Sequence, residues 1–103
     1  MSESAATSVK QLLQTQHSAL QRIFAKVRQL NELNELLKKE LEPELVKHCM
    51  VANVYTDRLI VLVENGSIAT RLRFSVPDLL PRLKAHNLLK DIKTVECRIG
   101  QLK

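Results

Sequence analysis

Residues 59–74 constrain the fold of this chain more than any other stretch. They begin with the uninterrupted apolar run LIVLV, pass through Asn65-Gly66-Ser67 and end in an amphipathic segment that carries Arg71 and Arg73. The run predicts a central or well-covered strand, because both of its faces are apolar. Asn65 and Ser67 are both suitable helix caps, so a helix is predicted to follow directly. The rest of the chain must be arranged around this strand and helix.

Two further strands are predicted on either side of this unit. Residues 45–55 alternate as a strand, Thr56-Asp57 supply a tight turn, and residues 58–64 return as the second strand of a hairpin. Residues 92–99 predict a third strand, which Gly100 closes. Between them, Pro77 and Pro81 predict a kink or restart of the helix near Ser75, because proline removes a backbone donor and clashes with the preceding turn.

The segment before the hairpin predicts helix with two sets of apolar residues. The whole stretch is expected to cover the sheet. Its first set is spaced by three and four: Leu20, Ile23, Phe24, Val27 and Leu30. The second set is shifted in phase: Leu33, Leu36, Leu37 and Leu41. Asn31 is a possible cap between them, so a bend or break is predicted there. The same shift argues against a coiled coil, and a partner-binding helix is the minor alternative to covering the sheet.

The predicted order is therefore helix, strand, strand, helix, strand. This order predicts an α+β fold in which helices cover one face of a three-stranded sheet, and it is similar to a KH module. With 103 residues, the chain has room for one small core. We expect a frayed segment over residues 1–15 and a single KH-like domain over residues 16–103.

Charge points to a polyanionic partner. Residues 1–45 contain six basic and six acidic residues, whereas residues 46–103 contain ten basic and five acidic residues, so the whole net charge of +5 lies in the second part. Such asymmetry favours nucleic acid, although a solvated basic face is the plain alternative for any single residue. The Gly-x-x-Gly loop of KH modules is missing, so phosphate contacts from basic side chains must dominate, with weak sequence specificity. The candidates are Arg71, Arg73, Arg82, Lys84, Lys90 and Lys93.

Catalytic and metal sites are not predicted. His17, His48 and His86 fall in different predicted elements without ligand partners at suitable spacing, and no nucleophile elbow or phosphate-cradling glycine loop occurs. Cys49 and Cys97 are expected to be reduced and at least half-buried. The sequence implies a non-enzymatic protein without cofactor.

No apolar run approaches the roughly 20 residues that cross a bilayer, so we expect a cytoplasmic protein with no membrane partner.

Four short motifs, LVKHCMVA at 45–52, LIVLV at 59–63, SIATRLRF at 67–74 and DLL at 78–80, resemble the DciA family. The resemblance runs from about residue 20 to residue 99. It implies a KH-like fold, binding to the replicative DNA helicase and affinity for single-stranded or forked DNA, in a role that assists helicase loading. Arg73 is the first residue to which it assigns DNA contact, with Arg71 beside it.

The sequence departs from the family pattern in two ways. Ala69 comes one position early, and Ile68 stands where an aromatic residue is frequent. Many members carry a basic C-terminal extension implicated in partner binding, and this sequence ends at Lys103, so we expect the folded domain to make the helicase contact. The alternatives are a free-standing KH-like RNA-binding module and a scaffold whose basic face is incidental.

Overall fold

The structure is a computed structural model that describes the secondary structure of residues 2–102 and the side chains of residues 17–102. Its elements, in chain order, are helix α1 (Ser2–Glu40), the one-turn helix α2 (Pro43–Val46), strand β1 (Cys49–Val54), strand β2 (Arg58–Val63), helix α3 (Gly66–Lys84), a 3-10 helix (Asn87–Leu89) and strand β3 (Thr94–Ile99). The predicted α+β class and KH-like order are confirmed, with α2 as an addition. The predicted division of the chain at residue 16 stays a prediction.

The strands of the described region form one mixed sheet in the order β1-β2-β3. β1 and β2 pair antiparallel as the predicted hairpin, and the Tyr55 N–H donates to the Arg58 carbonyl at 2.8 Å across the turn. β3 pairs parallel to β2, with Arg58 opposite Thr94 and Val63 opposite Ile99. The crossover between β2 and β3 is made by α3, which is the usual way to join parallel neighbours.

The core lies between one face of this sheet and the helices. Leu59, Val61 and Val63 of β2 enter it together with leucines of both long helices, namely Leu33, Leu37, Leu72, Leu79 and Leu83. β2 is apolar on both faces, and Ile60 is also buried, on the side away from this cluster. The predicted covering of one sheet face by helices is therefore confirmed, and β2 is the central strand that its apolar run predicts.

α1 differs from its prediction. It runs without interruption through Asn31, so the predicted break is wrong, while the alternative of a bend stays a prediction. Only its last turns cover the sheet, and four of the residues predicted to do so are exposed to 48–62%: Leu20, Ile23, Phe24 and Val27. The reason is length, because 39 residues extend for about 58 Å at 1.5 Å per residue. A strand of six residues spans only about 20 Å.

The first predicted strand begins later than expected. Glu42 is extended, with φ −59° and ψ 140°, as a residue before proline prefers, and Pro43 occupies the first turn of α2. Leu45 is buried within this helix rather than in a strand, and pairing starts only at Cys49. A bulge then follows, because Val51 pairs with Val61 and Asn53 already pairs with Ile60.

Helix α3 has a side-chain cap at its start and two prolines in its interior. The Asn65 side chain accepts a hydrogen bond from the Ile68 N–H at 3.0 Å, so Asn65 is the cap that the sequence offered. Of the kink or restart predicted near Ser75, the restart is wrong, since the helix continues through Pro77 and Pro81, and the kink stays a prediction. Both prolines are exposed, so the missing donors and the ring contacts fall on the solvent side and leave the core face intact.

α1 also protects the edge of the sheet. The Asn34 side-chain oxygen accepts a hydrogen bond from the Val51 N–H at 2.8 Å, and the Asn34 amide donates to the Leu30 carbonyl at 3.0 Å. Within residues 2–102, β1 pairs only with β2, so its outer donors would otherwise have no protein partner. Asn34 therefore joins the buried half of α1 to the edge strand β1 and fixes the position along β1, at Val51, where the helix crosses it.

Candidate nucleic-acid interface

Four of the six predicted basic residues are positioned by α3 and its end. Leu72, Leu79 and Leu83 face the core. Arg71 and Arg82 are eleven residues apart, as are Arg73 and Lys84, and eleven residues make about three helical turns. Each pair therefore lies along one flank of the helix. The two flanks have different neighbours, which decides what their charges can do.

The first flank of α3 faces the junction between α1 and α2. The Arg82 Nε lies 2.8 Å from Glu40 Oε2, and its Nη2 donates to the Glu40 carbonyl at 3.3 Å. Arg71 Nη2 lies 3.8 Å from Glu42 Oε2, which is a looser ion pair. Both arginines are about half exposed, so these pairs stabilise the fold only slightly. They do offset the positive charge that this flank presents to an anion.

The second flank borders a groove beside β3. Arg73 and Val76 line it from the helix, and the β3 residues 94–97 line it from the sheet, around a volume of about 400 Å³. Within residues 2–102, β3 pairs only with β2, so the other edge of this strand carries backbone groups without strand partners. Glu96 also lines the groove, and Arg98 Nη2, 2.9 Å from Glu96 Oε2, offsets its charge. With Arg73 on one wall and backbone donors on the other, the groove can hold an extended, negatively charged chain.

Three further predicted lysines lie between the end of α3 and the start of β3. Lys84 is the last residue of α3, Lys90 follows the 3-10 helix, and Lys93 precedes β3. The Lys93 N–H donates to the Asp57 carbonyl at 2.7 Å, which joins this connection to the hairpin turn. All three side chains are exposed, and among the described residues neither they nor Arg73 form an ion pair. The structure thus divides the six predicted residues into two paired arginines and four unpaired cations.

The two cysteines face the covered side of the sheet and are free. Burial raises the pKa of Cys49 to about 11, and its Sγ donates to the Leu45 carbonyl at 3.3 Å. Burial also raises the pKa of Cys97, an effect that the nearby Arg73 guanidinium opposes. Neither thiol is a thiolate near neutral pH, so both act as small apolar residues rather than as nucleophiles.

A family comparison decides how this chain is grouped. The family model described as "Dna[CI] antecedent, DciA" matches residues 8–97, nearly the whole chain. The chain belongs to the DciA family. This membership confirms the resemblance of the four motifs and relates the protein to helicase loading in DNA replication. No curated protein matches the chain.

In the described part of this DciA-family domain, two histidines lie near carboxylates, but neither a metal-binding cluster nor a membrane-spanning helix occurs. His48 Nδ1 lies 2.7 Å from Glu64 Oε2, and His86 Nε2 lies 3.5 Å from Glu32 Oε1. Among the described residues no group of three or more histidine, cysteine or acidic side chains could hold a metal ion. No helix in that part is long and apolar enough to span a membrane.

Sequence reasoning missed the acidic partners of the first flank. Glu40 and Glu42 are 42 and 29 residues away from the arginines they meet, Arg82 and Arg71. No spacing rule links such distant positions. The only sequence signal was the acidic cluster around Pro43.

Proposed function

We propose that this chain is a non-enzymatic accessory factor of bacterial DNA replication, acting in the cytoplasm, that binds the replicative DNA helicase and DNA and assists helicase loading. The observation that carries the proposal is the DciA family match over residues 8–97. The positive charge of residues 46–103 supports the DNA contact, because phosphate neutralisation by basic side chains supplies most of the affinity of proteins without base readout.

The groove beside β3 is the proposed DNA site. Arg73 lines its helical wall, and the three lysines, Lys84, Lys90 and Lys93, lie between the end of α3 and the start of β3. We expect a single strand that leaves the groove past Thr94 to meet these lysines as well. Arg71 and Arg82 contribute less, since Glu42 and Glu40 already offset their charge. Stacking adds little with one tyrosine and two phenylalanines in the chain, so the affinity is weakly sequence-specific and strongly salt-dependent.

The first test uses purified replicative helicase and the full chain. Size-exclusion chromatography with light scattering should show a complex of the two proteins after nuclease treatment. A fork substrate with a single-stranded tail should then show helicase loading that increases with the chain. Absence of a nuclease-resistant complex, together with no change in loading, would contradict the helicase part of the proposal.

The second test addresses the nucleic acid. Fluorescence anisotropy should compare single-stranded DNA and RNA of the same sequence at several salt concentrations. We expect similar affinities, because phosphate contacts do not sense the 2′-hydroxyl. Selective binding of RNA would favour the KH-like RNA-binding module instead, since that hydroxyl is how a protein distinguishes the two. Failure to bind either at low salt would favour a scaffold with an incidental basic face.

A further inference from the structure

A short apolar stripe lies on the part of α1 that extends beyond the sheet. Leu20, Ile23, Phe24 and Val27 are spaced by three and four residues, so they form one line along the helix, and they are exposed to 49%, 55%, 62% and 48% respectively. Four neighbouring large apolar side chains left in water are unusual for a helix that contacts nothing. Such a patch is typical of a surface that another molecule covers.

The orientation of this stripe shows that its own domain cannot cover it. At 100° per residue, the centre of the exposed stripe is rotated by about a quarter of a turn from the line of Leu30, Leu33 and Leu37, which faces the core. Because α1 is continuous, the two lines cannot face the sheet together. The phase shift in the sequence therefore marks two separate packing faces on one helix.

The basic residues beside the stripe indicate which kind of partner would cover it. Residues 4–31 contain no acidic residue, whereas Lys26 and Arg28 lie beside the stripe, three residues after Ile23 and four after Phe24. With Leu20, Ile23 and Val27 on a helix seam, Lys26 takes an edge position that side chains of a facing helix approach. Arg28 lies on the other side of the stripe, beyond Phe24. Acidic residues at the edges of that facing helix would pair with these cations.

A second copy of this chain does not fit the same face. Two such segments would bring no carboxylate to either side of the interface, because residues 4–31 contain no acidic residue, so nothing would pair with Lys26 and Arg28. Leu20, Ile23, Phe24 and Val27 together span an arc of about 100° around the helix, which is the width of the face by which an amphipathic helix packs against protein. The apolar spacing and the charge thus favour one occupant.

We infer that the exposed stripe of α1, with Lys26 and Arg28 at its edges, is a docking site for an acidic amphipathic helix of a partner protein. The apolar side of the partner helix would cover Leu20, Ile23, Phe24 and Val27, and its flanking carboxylates would face the two cations. This inference does not depend on the helicase being that partner, and it uses no residue of the proposed DNA site.

The test uses the full chain and two synthetic helical peptides labelled with fluorescein. Both peptides carry leucine at the a and d positions of their heptads, with glutamate at the flanking positions in one and lysine in the other. Anisotropy should show binding of the glutamate peptide, with the lysine peptide at least tenfold weaker. The double substitution Ile23→Ala and Phe24→Ala should weaken glutamate-peptide binding by about tenfold or more, because central apolar anchors dominate interfaces.

Two variants make the result specific. Ser18→Ala lies on the opposite side of the helix and should leave binding unchanged. Reversing the edge charges with Lys26→Glu and Arg28→Glu should shift the preference to the lysine peptide. Circular dichroism of each variant should match the parent, since Ile23 and Phe24 are exposed and alanine favours helix.

Several results would overturn the inference. Equal affinity for the two peptides, or binding that survives the double alanine substitution, would remove the docking site. Sedimentation showing a dimer that Phe24→Ala dissociates would assign the stripe to a second copy. Binding to phosphatidylglycerol vesicles that requires Phe24, without binding to the glutamate peptide, would assign it to a membrane surface. The helicase-binding experiment is separate, so either proposal can fail while the other holds.

Discussion

Helices α1 and α3 are both amphipathic, but the domain uses them differently. Buried residues run along α3 from Ile68 to Leu83, whereas in α1 the residues up to Val27 whose side chains are described stay in water and burial begins around Leu30. The difference follows from length, because α3 has 19 residues and α1 has 39, against strands of six. Amphipathic spacing thus identifies a helix and its apolar face, but it does not say which surface covers that face.

The largest expected effect contrasts the two halves of α1. Leu37→Ala should lower the free energy of unfolding by about 3 kcal/mol, because Leu37 is 1% exposed and its loss leaves a cavity in the core. Phe24→Ala should change it by less than about 0.5 kcal/mol, since that side chain is 62% exposed. Urea unfolding of both variants measures the difference. Similar losses at the two positions would mean that the first half of α1 packs on the domain in solution.

The next effect on stability concerns the hydrogen bond between Asn34 of α1 and Val51 of the edge strand β1. Asn34→Ala should cost about 1–2 kcal/mol, because it leaves the half-buried Val51 N–H without its 2.8 Å acceptor. Asn31→Ala is a matched control on the exposed side of the same helix, with the same change in helix propensity. Urea unfolding and hydrogen exchange at Val51 would report the loss. Equal stability of the two variants would show that water replaces the Asn34 oxygen at no cost.

A smaller effect contrasts the two flanks of α3. Arg73→Ala should weaken single-stranded DNA binding several-fold and reduce the slope of log affinity against log salt by about 0.7, the value for one phosphate contact. Arg71→Ala should do less, because Glu42 lies 3.8 Å away and offsets its charge. Anisotropy titrations at several salt concentrations measure both. A larger loss of affinity for Arg71→Ala would place the DNA site on the first flank of α3, which faces α1 and α2.

The last predicted effect, which is absent near neutral pH, depends on pH. Because burial raises the pKa of Cys49 to about 11 from an ordinary value of 9.0, the folded state favours the thiol over the thiolate. Its contribution to stability should be complete below pH 9 and should be lost as the pH rises from 9 to 11. Urea unfolding across this range should show a decline that is reduced in Cys49→Ala. Identical pH profiles for the two proteins would show that Cys49 ionises as easily in the folded state.

Local signals accounted for most of the correct predictions. The hairpin follows from alternation and the Thr56-Asp57 turn, and the start of α3 follows from Asn65, because each depends on residues only a few positions apart. Pro43 was correctly taken as the end of a helical region, yet it also begins α2, which the alternating pattern concealed. The groove beside β3 was out of reach, since its walls meet only after α3 has crossed back to the sheet.

The sequence by itself determined the element order, the apolar central strand and the basic second part of the chain, because propensity, capping and charge are properties of neighbouring residues. The tertiary structure decided which apolar face of α1 is covered, which arginines are paired and that Arg73 lines the groove beside β3. Each of these depends on contacts between residues far apart in the chain. The phase shift near Asn31 shows the division clearly: the spacing was visible in the sequence, but only packing showed that it separates two faces of one unbroken helix.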